Sequence, residues 1–381
     1  MPLSPVLAGQ PTYPFVRLEE AKRQKAEEGL RIVDLGMGDP KGIPEEPIRR
    51  ALVASLEDAT GYPAAQGLPE LRTAIAGWLQ RRFGVQLDPE REVIPTLGSK
   101  EAIFSFAQVV VDPAAGKDLV LVPDPAYPVY ERGAAFAGAD VRPLPLRADR
   151  RFLPDLESVE RETWRRAAVV WVNYPNNPTT ATASLSFYAR LAELAREHDF
   201  YVCSDEAYSE LWFDAPTPSA LEAGVQNVVA FNTLSKRSSM TGYRSGFVAG
   251  DERAIAALRK FRPSIGTAPQ LFVQRASVVA WEDEAHVERN RERYRRKRDL
   301  FLELFARKGL QVAGGAATMY LWVAVPEGET SETFASRLLE RGVVVAPGTH
   351  LGVGGEGYVR LALVPSKEEC RLAVEILDDE L

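Results

Sequence analysis

Lys236 lies in a segment whose residue types suggest covalent chemistry. In NVVAFNTLSKRSSMTGYRSGFVAG, an apolar run ends at Thr233 and Ser235, just before the lysine, and Arg244 follows within the same segment. An amine can form a Schiff base with a carbonyl group, hydroxyl groups can donate to phosphate oxygens, and a guanidinium can bind phosphate through two N–H groups. The segment therefore suits a phosphorylated cofactor that carries a carbonyl group. A solvated loop lysine beside a salt-bridged arginine would explain it more simply if it stood alone.

Chemically useful residues also follow four earlier apolar runs. In a parallel sheet, ligands bind beyond the carboxyl ends of the strands, so these residues are expected to meet at one edge. Free N–H groups at a helix start can hold phosphate, and an aromatic ring can stack on a flat heterocycle. Each signal alone is weak, because Asn-Pro is usually a turn and a strand-end Asp often caps a helix. Five strand ends, taken in chain order, provide Gly98, Ser99 and Lys100, then Tyr127, then Asn177, then Asp205 and Tyr208, then Thr233, Ser235 and Lys236.

The order of apolar and helical patterns predicts the fold class. Short runs rich in Val, Ile and Phe alternate with segments of helical period, which predicts an α/β fold with a mostly parallel seven-stranded sheet flanked by helices. The predicted strands are 92–96, 118–122, 140–144, 167–173, 200–204, 228–232 and 246–249, and the predicted helices include 68–83, 100–110, 184–198 and 251–261.

A different pattern begins after Trp281. HVERNRERYRRKRDLFLELFARKG predicts one long amphipathic helix, and it is followed by TMYLWVAV, a helix near 331–341, VVVAP, YVRLALV and a last helix. This order predicts a smaller α+β domain. We expect it to comprise both chain ends, residues 1–40 with an N-terminal arm and residues 285–381, while residues 41–284 form the large cofactor-binding domain.

Composition and charge exclude several classes of protein. The 46 Lys and Arg residues against 53 Asp and Glu residues give a formal charge of −7, which argues against a nucleic-acid or anionic-membrane surface. The two cysteines cannot form a disulfide framework, so we expect a reducing compartment, the cytoplasm. The three histidines lie far apart, and no histidine-rich metal site is expected. The start of the chain lacks a basic region with an apolar core, so we expect no signal peptide, and no apolar run has membrane-spanning length.

Three glycines imitate a dinucleotide-binding fingerprint. Gly352, Gly354 and Gly357 match G-x-G-x-x-G, but that motif requires a helix directly after the glycines. Here the glycines precede YVRLALV, which has the pattern of a strand. We therefore predict a turn.

The motifs around the candidates resemble pyridoxal-phosphate (PLP) aminotransferases of fold type I, class I/II, over nearly the whole chain. Within that class, three stretches are most similar to succinyldiaminopimelate and LL-diaminopimelate aminotransferases: YPFVRLEEAKRQ, SKRSSMTGYRSGFVAGD and AWEDEAHVERNRERY. The motifs that carry the class resemblance are GYPAAQG, LGSKEAI, DPAYPVY, NYPNNPT, SDEAYSEL, TLSKRSSMTGYRSGF and YVRLALV.

The resemblance implies a role for each candidate around the ring of pyridoxal 5'-phosphate. Lys236 would form the Schiff base and then move a proton between the substrate and the cofactor. Asp205 would pair with the pyridine nitrogen and favour its protonated form. Tyr127 would stack on the ring, while Asn177 and Tyr208 would hydrogen-bond its phenolic oxygen.

The resemblance also implies contacts with phosphate and substrate. Tyr62 would reach the phosphate from a neighbouring subunit, which implies a homodimer with shared active sites. Arg360 would bind the substrate α-carboxylate through two N–H groups, Asn177 would also contact the substrate, and Gly38 would leave room for it. The other phosphate contacts would come from Gly98, Ser99, the main chain of Lys100, Thr233, Ser235 and Arg244.

Two positions depart from the family pattern. Thr180 stands where glycine usually follows NNPT, an exchange that can alter the backbone without removing Asn177. Thr233 stands where serine is common and keeps the hydroxyl group.

The substrate is less constrained than the reaction. The side chain of Lys100, or less well Arg262, could bind a distal carboxylate, which would suit 2-oxoglutarate and glutamate as one substrate pair. Subfamily resemblance alone suggests N-succinyl-LL-diaminopimelate as the other substrate, in lysine biosynthesis. The alternatives are an aspartate or broad-specificity aminotransferase, a PLP-dependent β-lyase or decarboxylase, and a regulatory protein that merely holds the cofactor. Such regulators usually carry a fused DNA-binding segment, and we expect none here, because the amino-terminal region before the first small-domain strand is short.

Overall fold

The computed structural model describes residues 4–9, 14–56 and 61–381. Its strands are β1 Val33–Asp34, β2 Val93–Thr96, β3 Leu119–Asp124, β4 Asp140–Pro145, β5 Ala167–Asn173, β6 Tyr201–Asp205, β7 Val228–Thr233, β8 Gly246–Gly250, β9 Val312–Ala313, β10 Tyr320–Ala324, β11 Val343–Val344, β12 Ala346–Pro347 and β13 Tyr358–Ala362. Its α-helices are α1 Pro5–Ala8, α2 Pro14–Glu27, α3 Glu46–Ala54, α4 Pro69–Phe83, α5 Ser99–Val110, α6 Val129–Phe136, α7 Arg161–Arg166, α8 Leu185–His198, α9 Leu234–Arg237, α10 Glu252–Phe261, α11 Leu271–Glu282, α12 Ala285–Lys308, α13 Ser331–Glu340 and α14 Lys367–Glu380.

A seven-stranded sheet forms the centre of the fold. Its strand order is β2-β8-β7-β6-β5-β3-β4, and β8 runs antiparallel to both of its neighbours while the other pairs are parallel. The fold class and all seven predicted strands are confirmed, with strand ends within about two residues of the prediction. The apolar runs were informative because helices cover both faces, so that every residue of β5 is buried.

Two apolar cores lie on opposite faces of this sheet. Successive side chains of a strand point to opposite faces, so Val170 and Val172 pack with Trp78 and Trp281 on one side. Trp171, between them, packs on the other side with Phe106 and Phe231. The helices that supply these side chains hold the sheet rigidly, and the carboxyl ends of β5, β6 and β7 are thereby fixed relative to one another.

A second unit follows the central sheet. Strands β12-β13-β10-β9 form an antiparallel sheet, and β1 pairs in parallel with β11, which joins a segment near the start of the chain to the C-terminal part. The predicted long helix is present as α12 and buries Phe301 and Leu304 in a separate core. These contacts support a small domain of residues 1–40 and 285–381, and that division remains our proposal. Residues 1–3 and 10–13 of the expected arm lie outside the described residues.

The glycine-rich segment before β13 forms turns, as predicted. Short 3₁₀ segments span Gly348–Leu351 and Val353–Gly355, and β13 follows without an intervening helix. The N–H of Gly354 donates to both carboxylate oxygens of Asp124, each at 3.1 Å. A Cβ atom on Gly355 would lie 2.1 Å from the carbonyl oxygen of Gly348, so close backbone packing explains this glycine.

None of the helices within the described ranges is both long and apolar enough to cross a membrane.

Thr180, which replaces the usual glycine, has a left-handed backbone. Its φ is +61°, in a region that is costly for a β-branched residue. Its buried hydroxyl donates to the carbonyl of Ala313 at 3.0 Å and accepts from the N–H of Gly315 at 3.1 Å. These hydrogen bonds tie the NNPTT loop to β9 and the turn after it. Thr180 therefore keeps the backbone shape that glycine favours and adds two contacts that glycine cannot make.

We predict that Thr180→Ala lowers the free energy of unfolding by about 2 kcal/mol, because alanine keeps the unfavourable φ and loses both hydrogen bonds. Thr180→Gly should fall between alanine and threonine, because it loses the same bonds but relieves about 1 kcal/mol of backbone cost. Urea denaturation of the three proteins measures this order. A glycine variant as stable as the wild type would contradict the importance assigned to the hydroxyl.

Candidate active site

The predicted site residues gather at one cleft beside the carboxyl ends of the parallel strands. The cleft has a volume of about 500 Å³, and the second sheet closes its opposite side through β10 and β13. Twelve of the fourteen predicted residues line it: Gly38, Ser99, Lys100, Tyr127, Asn177, Asp205, Tyr208, Thr233, Ser235, Lys236, Arg244 and Arg360.

Lys236 lies in the short helix α9, directly after β7. Thr233 caps this helix, since its hydroxyl accepts from the N–H of Ser235 at 3.1 Å. The Lys236 Nζ donates to the carbonyl of Gly38 at 2.6 Å. Burial lowers the pKa of Lys236 to about 8, although the charge of Asp39 opposes this shift. A substantial fraction of the amine is therefore neutral and nucleophilic in mildly alkaline solution.

Asp205 ends β6 and is held by three hydrogen bonds. Its Oδ2 accepts from the hydroxyl of Tyr130 at 2.7 Å, its Oδ1 accepts from the N–H of Ala207 at 3.2 Å, and its carbonyl accepts from the Asn173 amide at 2.7 Å. Burial raises the pKa of Asp205 to about 6, and the Tyr130 hydrogen bond opposes that rise. Tyr130 is itself fixed by stacking on Trp171, with ring centroids 4.9 Å apart. The carboxylate thus has a defined position and a defined orientation.

Arg360 lies in β13 and lines the cleft. Its Nη1 donates to the Asn177 Oδ1 at 2.8 Å, and its Nη2 donates to the carbonyl of Gly36 at 2.8 Å. Its guanidinium lies over the ring of Tyr320, 4.5 Å from the centroid. Its Nε is buried and has no hydrogen-bond partner among the described residues. A buried donor of this kind requires a partner, and a carboxylate ligand would supply one.

Tyr320, in β10, connects Tyr208 with Gly38. The hydroxyls of Tyr208 and Tyr320 are 3.0 Å apart. A Cβ atom on Gly38 would lie 2.1 Å from the Tyr320 hydroxyl oxygen. Glycine at position 38 therefore leaves room for this protein side chain, and its predicted role beside the substrate remains a prediction.

Anion-binding groups lie together at one end of the cleft. Helix α5 begins at Ser99, so that its first N–H groups face away from the helix, and the hydroxyls of Thr233 and Ser235 are 3.0 Å apart. The Arg244 guanidinium donates to the carbonyl of Thr241 at 2.8 Å and to that of Leu97 at 3.2 Å. Gly98 adjoins the cleft, and a Cβ atom there would lie 2.7 Å from Arg244 Nη2. The helix N-terminus, hydroxyls and guanidinium together form a donor set suited to phosphate.

The two candidates for a distal carboxylate differ in position. Lys100 lines the cleft, with its Nζ 5.6 Å from the centroid of the Tyr127 ring. Desolvation lowers the pKa of Lys100, and the charge of Arg244 lowers it further. Arg262 is buried outside the cleft lining, with its Nη1 2.9 Å from Glu101 Oε1. The geometry favours Lys100 over Arg262.

Two predicted residues do not line the cleft: Gly98, which adjoins it, and Tyr62. The side chain of Tyr62 is fully exposed, at 105% relative accessibility, and it does not line the cavity. Its contact with the phosphate across a subunit boundary stays a prediction.

Sequence reasoning missed two tyrosines of the site, Tyr130 and Tyr320. Both lie in segments that were read for other features, DPAYPVY for its loop ring and TMYLWVAV for its strand pattern. A signal for Tyr130 was available: it follows the loop residue Tyr127 by only three positions, in the first turn of α6, and the two ring centroids lie 5.8 Å apart. Tyr320 gave no comparable signal, because an aromatic residue in an apolar strand is ordinarily part of the core.

The fold and the site define a class of enzyme. The sequence profile described as "Aminotransferase class I and II" matches residues 31–377, and the chain belongs to this family. It is therefore an aminotransferase, as the motifs predicted. Members of this family depend on pyridoxal phosphate and act on amino acids and 2-oxo acids.

The names of individual relatives specify a substrate. An LL-diaminopimelate aminotransferase of Aquifex aeolicus is 41% identical over 372 residues, which cover 96% of this chain and 95% of the relative. The solved structure of a probable N-succinyldiaminopimelate aminotransferase from Thermus thermophilus has a TM-score of 0.90 at 36% identity and covers 96% of this chain and 100% of that chain. The Thermus thermophilus aspartate aminotransferase with maleate has a TM-score of 0.92 at 32% identity and covers 100% of both chains.

We predict that Tyr130→Phe raises the pKa of Asp205 by about one further unit, because a hydrogen bond that stabilises the carboxylate is lost. Infrared titration of the carboxyl band in the cofactor-free protein measures the midpoint, and Asp205→Asn identifies the band. A midpoint that stays where it is, or falls, would show that Tyr130 does not act on the carboxylate.

Proposed function

We propose that this aminotransferase binds pyridoxal 5'-phosphate in the cleft and uses Lys236 as its point of covalent attachment. When bound, this cofactor supplies a carbonyl carbon that accepts the amino group and a ring that withdraws electrons from the substrate α-carbon. The observation that carries the proposal is the arrangement of Lys236, Asp205 and the phosphate-type donors around one cavity of about 500 Å³. The donor set at the α5 end suits a phosphate, and the carboxylate of Asp205 suits a basic ring nitrogen.

The residues of the cleft would divide the work between them. Lys236, as a partly neutral amine, would take up and return a proton beside the substrate α-carbon. Asp205 would pair with a protonated ring nitrogen and stabilise its positive charge. Asn177 and Tyr208 would donate to the ring oxygen, and Tyr127 would cover the ring face.

The substrate class follows from the two cationic groups. Arg360 would bind the α-carboxylate, which would satisfy its buried Nε. Lys100 would bind a distal carboxylate, so one substrate pair would be glutamate and 2-oxoglutarate. Relatives named for LL-diaminopimelate and N-succinyldiaminopimelate support N-succinyl-LL-diaminopimelate as the second amino substrate, in lysine biosynthesis. The aspartate aminotransferase likeness favours aspartate as the alternative, since maleate is a four-carbon dicarboxylate.

We further propose a homodimer in the cytoplasm. A second copy of the chain would bring its Tyr62 to the phosphate end of the cleft, and full exposure of that ring in one chain is compatible with such a contact. Two free, buried cysteines suit a reducing compartment.

We predict that amino acids added singly to the cofactor-loaded protein shift its absorbance when they act as amino donors, and that glutamate and N-succinyl-LL-diaminopimelate are among them. Lys236→Ala should abolish turnover, because the variant lacks both the attachment point and the proton carrier. Release of pyruvate and ammonia without a 2-oxo acid acceptor would identify a lyase and refute the aminotransfer reaction. A strong preference for aspartate would refute the diaminopimelate assignment alone.

We predict that Lys100→Met raises the apparent Kd of glutamate by about tenfold and leaves that of alanine nearly unchanged, because alanine has no distal carboxylate. The concentration dependence of the absorbance change gives both constants. Cofactor affinity should persist, since the main-chain N–H at position 100 remains. Equal losses for glutamate and alanine would refute a distal-carboxylate role for Lys100.

A further inference from the structure

The segment AWEDEAHVERNRERY, residues 280–294, has no place in the chemistry described above, yet it packs directly behind Lys236. It runs from the end of α11 into the first half of α12. We propose that Asn290 of this segment is a positioning residue for Lys236, whose side-chain amide holds the main chain of the lysine-bearing turn from behind. The consequence for catalysis rests on the proposed function of Lys236.

The turn that carries Lys236 has an open end that needs donors. Helix α9 has only four residues, and the last carbonyls of any helix have no partner within it. Asn290 Nδ2 donates to the carbonyl of Lys236 at 3.1 Å and to that of Arg237 at 3.2 Å. Asn290 is 5% exposed, so water cannot readily replace its amide. In the part of the chain that the structure describes, it is the one side chain hydrogen-bonded to the Lys236 main chain.

Other residues of the segment 280–294 contact the side chains of Arg237 and Ser238, the two residues that follow Lys236. Arg237 Nη2 donates to Glu284 Oε2 at 3.0 Å, its Nη1 donates to the carbonyl of Ala280, and its guanidinium lies 5.1 Å from the centroid of the Trp281 ring. Arg237 is buried, so these partners replace the solvation of its charge. The segment therefore grips the turn at several consecutive residues, and Asn290 supplies the contact at the lysine itself.

Ser238, His286 and Asp283 form a hydrogen-bonded chain that resembles a hydrolytic triad. Ser238 Oγ and His286 Nε2 are 2.8 Å apart, and His286 Nδ1 and Asp283 Oδ2 are 3.0 Å apart. Burial lowers the pKa of His286 to about 4, so the ring is neutral near pH 7. Asp283 then accepts from Nδ1–H, and Ser238 donates to Nε2. Because Ser238 is only 3% exposed, this chain anchors the turn to α12 and offers no accessible nucleophile.

The proposed role predicts how the position and the pKa of the Lys236 amine change when the Asn290 amide is removed. Without the Asn290 amide, the two carbonyls must find other partners, and the turn can shift toward the cleft and its water. The Lys236 amine would then be better solvated, its pKa would rise toward the ordinary value of 10.5, and its contact with the carbonyl of Gly38 would loosen. A residue that only stabilises the fold would leave this titration unchanged.

The experiment compares the wild type, Asn290→Ala and Leu300→Ala. Leu300 lies on the same helix and packs, half-buried, against the second core, so its truncation lowers stability without contact to the lysine turn. Trace acetylation of the full-length, cofactor-free proteins over a range of pH, read by peptide mass spectrometry, gives the pKa of the Lys236 amine. We expect a midpoint near 8 in the wild type and Leu300→Ala, and a rise of about one unit in Asn290→Ala.

A kinetic readout completes the test in the cofactor-loaded enzyme. With glutamate, the first-order rate constant of the half-reaction should fall about tenfold in Asn290→Ala, while the apparent Kd changes by less than about twofold. Asn290→Ser, which is too short to reach both carbonyls, should behave in the same way and serves if the alanine variant does not fold.

The outcomes separate the two proposals. An unchanged amine titration in both position-290 variants, or an equal shift in Leu300→Ala, overturns the role of Asn290. A wild type that reacts with no amino donor overturns the proposed function, while the acetylation experiment still decides whether Asn290 positions the amine.

Discussion

The whole site depends on the burial of one amine and one carboxylate at adjoining strand ends. Desolvation disfavours the charged form of each group, so the pKa of Lys236 falls to about 8 while that of Asp205 rises to about 6. Both pKa values therefore lie close to neutral pH, where small changes in the surroundings can change the protonation state of either group. A solvated lysine at the same position would remain charged, and its amine would not be a nucleophile. Burial of Asp205 removes competing water, so that its carboxylate is available to a ligand with positive charge.

Keeping them buried requires rigid support on every side. The carboxylate is held by Tyr130, which is itself fixed by stacking on Trp171, a residue of the neighbouring strand β5. Arg360 is held in the same manner, because its guanidinium bonds both Asn177 after β5 and the carbonyl of Gly36 after β1. Such supports reduce the reorganisation needed when a charged ligand enters, which is the main source of electrostatic preorganisation in enzymes. The seven-stranded sheet matters because it gives these supports a common frame.

Much of this frame could be predicted from the sequence, for a physical reason. Strands that are buried on both faces must be mostly apolar, so β5 and β7 could be predicted from their apolar runs. The polar residues at the ends of these strands indicated where the site lies. Tyr130 and Tyr320 were missed because their rings are buried among apolar residues and their polar atoms act within the fold. Arg262 was weighed against Lys100 on charge alone, and only the structure reveals its ion pair with Glu101. A sequence pattern indicates which side chains a segment must bury. It does not indicate which buried hydroxyl donates to a particular carboxylate.

The segment 280–294 also contains a contact that its sequence did not predict, and this contact connects the central sheet with the second sheet. Its residue types matched a subfamily, but nothing in its spacing indicated that Asn290 would reach the carbonyl of Lys236. Helix α12 makes that contact in its first half, and its second half buries Phe301 and Leu304 in the second core, beside the sheet that carries Arg360. One helix therefore links the lysine turn to the unit that contains Arg360. The relative positions of Lys236 and Arg360 are therefore supported by α12 and also by the segment after β1, where the two side chains donate to the carbonyls of Gly38 and Gly36.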